Sequence, residues 1–186
     1  MLRIIFILLI TLVVGFFFLQ GRLKEDTAEK PIFLRTDAIA NNHQTNIDIK
    51  VDALHQPAPS ELNILKTDYS NLWAHLNYLY ATNDVNAGKE YYTEGWFKQI
   101  CNHYELPQKT IVKRTDEKHE LHIQNWDRDA LLCTAIDSNV ILKYQYPDNI
   151  EKTTKSNIAV VLLLQGDHWR IDAIRIINEI LLPNQK

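Results

Sequence analysis

The residues of this chain that could do chemistry are its histidines, cysteines and carboxylates, and His119-Glu120-Leu121-His122 is their densest cluster. Two histidines three residues apart can hold one metal ion only if they share a face. On a strand, successive side chains alternate and the two point apart; on a helix they stand one turn apart. The surrounding pattern favours a strand, so the segment reads as a solvated strand edge and not as a zinc site. His75 falls on the flank of a helical pattern, as a boundary residue. Asp127 and Asp129 enclose Arg128 in a polar turn, where short carboxylates bond their own backbone. Nucleophile motifs, phosphate loops and dinucleotide fingerprints do not occur, and the five glycines stand apart at 15, 21, 88, 95 and 166. The expectation is no catalytic residue, no metal ligand and no cofactor.

Cys101 and Cys133 are too few for a disulfide scaffold or a cysteine zinc site. Both lie in apolar patterns and read as buried free thiols, with a bridge between them as the alternative. A net charge of −3 with both signs interspersed leaves no basic stripe, so no nucleic-acid partner is expected.

Residues 4–19 read IIFILLITLVVGFFFL, with Arg3 before them and Arg22 and Lys24 after. Crossing a hydrocarbon core of about 30 Å takes about 20 apolar residues, with about 17 as the floor. Residues 2–19 meet that floor. A cleaved signal peptide would have a shorter apolar region and a small-residue cleavage site. Here the run closes on Phe16-Phe17-Phe18-Leu19-Gln20-Gly21, which favours an uncleaved anchor over residues 1–21. Positive charge nearly balances across the run, and a short basic tail usually stays in the cytoplasm. The expectation is a single-pass protein of a bacterial inner membrane, with its C-terminal domain in the periplasm.

Residues 22–58 are linker-like, with one possible strand where Ile47, Ile49 and Val51 alternate with Asp48 and Lys50. Residues 59–181 hold one domain. Ser60 is the expected N-cap of a long helix with Leu65, Tyr69, Leu72, Trp73, Leu76 and Leu79 on one face. Asp84 caps a short second helix and Thr93 a third. Strands follow: a short one within 109–114, one near 121–126, a long one over 130–146 bulged near Asp137-Ser138-Asn139, then 158–164, a Gln165-Gly166-Asp167 turn, and 168–177. Helices first and a meander after them give an α+β fold, with about three helices packed on a curved antiparallel sheet.

The stretch Trp73-Ala74-His75-Leu76 to Asn83-Asp84, then Tyr91-Tyr92-Thr93-Glu94, and the ending Gly166-Asp167-His168-Trp169-Arg170-Ile171 resemble the NTF2-like, cone-shaped α+β superfamily over about residues 60–179. The resemblance implies a cone whose mouth is a ligand pocket or is plugged by side chains; Trp73, Trp96, Trp126 and Tyr144 are the pocket-lining candidates. Enzymes of the superfamily use an Asp or His base inside the cone, which adds Asp127 to the residues to place. Two readings of function follow. One is an adaptor or assembly subunit, similar in architecture to the bitopic scaffold subunits of bacterial secretion machines. It docks membrane or periplasmic proteins and can pair with a second copy through the sheet, whose segment 160–164 is apolar on both faces. The other is a membrane-tethered small-molecule binder, or a SnoaL-like or ketosteroid-isomerase-like enzyme using the cone; a cone stoppered by tryptophans argues against it.

Overall fold

Leu65, Tyr69, Leu72, Trp73, Leu76 and Leu79 recur every three or four residues, and in the computed structural model of the chain they form the buried side of helix α1, Pro59–Thr82. The structure describes Ile39, His43 and residues 45–103, 112–148 and 150–183. The helix begins two residues earlier than the Ser60 cap implies, with Ala58 as its N-cap. Pro59, with its φ already helical and no N–H to lose, takes the first turn, and the Glu61 carboxylate accepts the Ala58 N–H at 2.6 Å. It ends at Asn83, in the left-handed region at φ 58°, whose N–H closes on Leu79 O. Asp84 then caps the 3-10 helix Val85–Tyr91 by accepting the Asn86 N–H at 3.1 Å. Thr93 Oγ1 accepts the Trp96 N–H at the start of α2, Glu94–His103.

Six strands make one sheet: β1 Asn46–Val51, β2 Lys113–Asp116, β3 Lys118–Trp126, β4 Leu132–Gln145, β5 Glu151–Gln165 and β6 His168–Leu182. Their order is β1-β3-β4-β5-β6, with β2 on β4 as well. Strands β2 to β6 pair antiparallel, but β1 runs parallel to β3, with Ile47 opposite His119. The sheet is therefore mixed, which corrects the expectation of an antiparallel one. The strand read inside the linker is an edge of the sheet, and the whole helical region is the crossover that a parallel pairing requires.

A second correction concerns the membrane. Among the described residues no helix is long and apolar enough to cross one. The longest, α1 at 24 residues, carries Glu61, Lys66 and Asp68 among its apolar positions. The run 2–19, and with it the anchor expected over 1–21, lies outside the described residues.

In β4 the register shifts between Asp137 and Val140, with Asn139 at φ 60°. The extra residue resets the alternation, so Asp137 and Val140, three apart, are both buried. Leu121, Ile123, Ala135, Leu142, Ile158, Val160, Leu162 and Ile171 line the inner face and share one core with the buried side of α1. Each such side chain is worth roughly 1.5–3 kcal/mol in removal from water. Asp68 on α1 stitches the layers together by accepting the Trp169 N–H at 2.8 Å, and Thr93 donates to Asp172 on β6 at 2.8 Å. Both cysteines are free thiols; burial pushes the Cys133 thiol up to about 12.

Candidate functional site

The polar centre of the inner face is built by strand alternation. His119, on β3, points inward because Leu121 and Ile123 do; Asp116 holds an inward position of β2, and the β4 bulge keeps Asp137 inward. His119 donates Nδ1–H to Asp137 Oδ2 at 2.6 Å and Nε2–H to Asp116 Oδ2 at 3.0 Å, with all three side chains closed to solvent. From α1, the Tyr69 hydroxyl donates to the same Asp137 oxygen at 2.7 Å. Asp116 also accepts from Asn77 on α1 and from His43 Nε2, whose distances to its two oxygens are 2.8 and 3.0 Å. Ser70 Oγ lies 3.4 Å from His43 Nδ1. Arg114 Nε donates to Asn77 Oδ1 at 2.8 Å, and its guanidinium lies between the rings of Tyr80 and Trp73, 4.0 and 5.3 Å from their centroids.

These contacts decide the charge states. Burial by itself would push the His119 imidazole down, but the hydrogen bonds and charges of Asp116 and Asp137 outweigh it and hold the ring at about 9. Burial likewise works against the Asp116 carboxylate, and the two histidines overcome it, holding the group well below the usual carboxylate range. Burial and then the charge of Asp137 raise the Tyr69 phenol well above its usual value, so it remains a donor. The result is an imidazolium clamped between two carboxylates. Its outermost link is His43, whose side chain is 11% exposed.

Such a chain of donors and acceptors can hold or pass a proton, but it cannot hold a metal. Both His119 nitrogens are spent on carboxylates, and among the described residues no group of histidine, cysteine, aspartate and glutamate is arranged for an ion. Tyr69, Trp73 and Leu72 are buried between α1 and β3, with the Trp73 ring 4.7 Å from His119.

The residues singled out in the sequence fall in different places. Trp73 packs against His119 and Arg114 in the core. Trp126 leans on Trp169 at 4.9 Å, at the opposite end of β4 from Tyr144. Trp96 is partly buried against the core. Tyr144 borders an open groove of about 950 Å³ shared with Lys113, Lys143, Lys152 and Leu182. Asp127 accepts the Ala130 N–H through its backbone and shapes the β3–β4 turn. His119 and His122 do point to opposite faces, but His119 is in the core, and only His122 is at a solvated surface. His75 is buried too, at 1% exposure, because α1 is covered on two sides: residues 72 to 76 are all buried. Neither of its ring nitrogens has a hydrogen-bond partner, and the ring stacks on Tyr91 at 4.6 Å.

Sequence reasoning gave no role in a site to Tyr69, Asp116, Asp137, Asn77, Arg114 or His43, although it placed Tyr69 on the helix face and Asp137 at the bulge. One signal was available: Asp137 interrupts the apolar alternation of Cys133 and Ala135 at an inward position, and a carboxylate there must find a partner. No family model, no curated protein and no solved structure matches the chain, and the reading of its function rests on its own geometry.

Proposed function

We propose that this chain is a protein-docking domain of the NTF2-like kind, an adaptor or assembly subunit, and that it docks through its last strand. One observation carries the reading. The space between helix and sheet is filled by Tyr69, Trp73, Tyr92, Trp126 and Trp169, while β6 presents Ile176, Ile177, Ile180 and Leu181 at 49–62% exposure. Beyond the bridge from Tyr92 to Ile171, the outer edge of β6 has no partner strand among the described residues. An open, apolar strand edge is the surface that proteins normally blunt or cover, and a partner strand satisfies both its backbone and its side chains. The apolar run 4–19 of the sequence is what places this proposed work at a membrane surface.

A photocrosslinker at Ile177 or Ile180 of the full chain, in native membranes, tests the proposal. One stoichiometric partner captured there, and not from the exposed Lys66 on α1, is the expected result. Equal labelling from both positions would sink it.

One observation favours a second reading, a small-molecule binder or catalyst: the Tyr69-Asp137-His119-Asp116-His43 chain has the parts of a proton relay. It requires Trp73 and Tyr69 to yield space beside Asp137. Crystals soaked with small cyclic ketones or phenols, and showing density there, would favour it over docking.

A further inference from the structure

His75 stands apart from the other two buried or half-buried imidazoles on this side of the sheet. His119 and His43 are each fixed by carboxylates. His75 is as buried as His119, yet both of its nitrogens lack a partner, and its ring stacks on the face of Tyr91 at 4.6 Å and 26°. A leucine or phenylalanine in that position would fill the space without stranding two polar atoms, so the imidazole is a poor choice for packing alone.

What surrounds it decides what a proton would do. Within a turn of it on α1 stand Asn71, Leu72, Tyr78 and Leu79, none of them charged at neutral pH. The 3-10 helix brings Tyr91; its Lys89 and Glu90 are exposed, and Lys89 lies over the Phe97 ring. From the segment before β1 comes His43, which works against a positive charge on His75. No carboxylate bears on the ring among these groups. A protonated His75 therefore has to be hydrated, which requires the 3-10 helix to move away from α1. That helix is short, and between the left-handed Asn83 before it and the anchored Tyr92-Thr93 after it, which bridge to Ile171, it is the contact with α1 that has to part.

We propose that the contact between α1 and the 3-10 helix Val85–Tyr91 is an acid-operated latch, in which protonation of His75 parts Tyr91 from α1 and uncovers Ala87 and the Tyr91 ring. The charge balance agrees. Burial, with His43 adding to it, holds the ring at about 4 in the closed form, against an ordinary 6.5. The closed form thus refuses the proton and the open form accepts it, so opening gains as pH falls below 6.5 and stops gaining near 4. Between pH 7.5 and 5 the ratio of open to closed rises roughly thirtyfold by this linkage.

Amide exchange of the full chain, corrected at each pH for the intrinsic rate, tests the latch. In the wild type, exchange in 85–92 should accelerate roughly thirtyfold from pH 7.5 to 5, while 158–164 of β5 stays protected. His75→Phe, which keeps a ring against Tyr91, should abolish the acceleration. The same acid response in the variant would assign the effect elsewhere and overturn the proposal. So would an acceleration shared equally by β5, which means global unfolding. Proton NMR of the wild-type ring gives a check that needs no variant: a His75 resonance titrating near 6.5 with no change at Tyr91 also overturns it.

Discussion

His119 and Asp137, 18 residues apart in the chain, meet at 2.6 Å with neither side chain open to solvent. With Asp116 on the other ring nitrogen, the pair becomes a buried triad of one cation and two anions, and each member is committed to the others. Such a cluster adds little net stability over an apolar core of the same shape, but breaking it is expensive, because the remaining charges stay buried without compensation.

His119→Gln should therefore cost about 3–5 kcal/mol at pH 7, read by urea unfolding. The pH dependence has a definite sign. The folded-state ring is raised from 6.5 to about 9, so its contribution, about 3 kcal/mol, is complete below pH 6.5 and is lost as pH rises through 9. The gap between wild type and variant should narrow from pH 7 to pH 10, and a constant gap would contradict the assigned charge. The Asp116 contribution runs the other way, present above the ordinary carboxylate value and lost on acidification, because its folded-state value is lowered.

Gly88 is required by packing. A Cβ there would stand 2.6 Å from Tyr92 Oη and 2.8 Å from two of its ring carbons, and Tyr92 is a core residue without room to retreat. Gly88→Ala should destabilise by about 1–3 kcal/mol in thermal or chemical unfolding. Gly95→Ala is the control, since a Cβ there meets nothing within 4 Å.

Trp126 and Trp169 close the end of the domain away from Tyr144, with ring centroids 4.9 Å apart. Trp126→Ala should cost about 3–5 kcal/mol in urea unfolding, the loss of a buried aromatic plus the cavity that remains. A loss below about 1 kcal/mol would mean that this end collapses freely and is not a rigid plug.

How much of this could be read beforehand differs from element to element. The face of α1, both turn caps, the β4 bulge at Asp137-Ser138-Asn139 and the Gly166 turn are local patterns, and they were legible because local sterics and spacing set them. The surroundings of His119 were not. Alternation separated it from His122 and set it on the face of Leu121 and Ile123, which is the inward one, but nothing in β3 showed that Asp116 and Asp137, brought in by two other strands, would clamp it. The parallel docking of β1 was equally hidden, because nothing within Asn46–Val51 names a partner near His119. The β6 strand reaches Leu182, past the Ile177 read from sequence, since a strand ends where its pairing with β5 ends.

The exposed part of β6 separates docking from stability. Ile177→Lys and Ile180→Lys should change unfolding free energy by no more than about 0.5 kcal/mol, as substitutions at exposed positions do. The same changes should weaken partner capture at least about tenfold in quantitative crosslinking, the loss expected of residues central to an interface. Unfolding of the domain by either lysine would show that these isoleucines belong to its own core.

His43 and Asp116, held together at 2.8 Å, are 73 residues apart in the chain, and β1 follows His43 almost at once. During synthesis from the N-terminus, the first strand of the sheet emerges long before the strands that receive it. Closing so long a loop has an entropic cost that no local contact offsets, so β1 docks late, after α1 and the β3–β4 hairpin have given it a surface. Until then β3 keeps an open edge, and a neighbouring chain's β1 would fit it as well as the chain's own. The arrangement that completes the folded sheet is thus also the point at which two half-made copies can exchange strands.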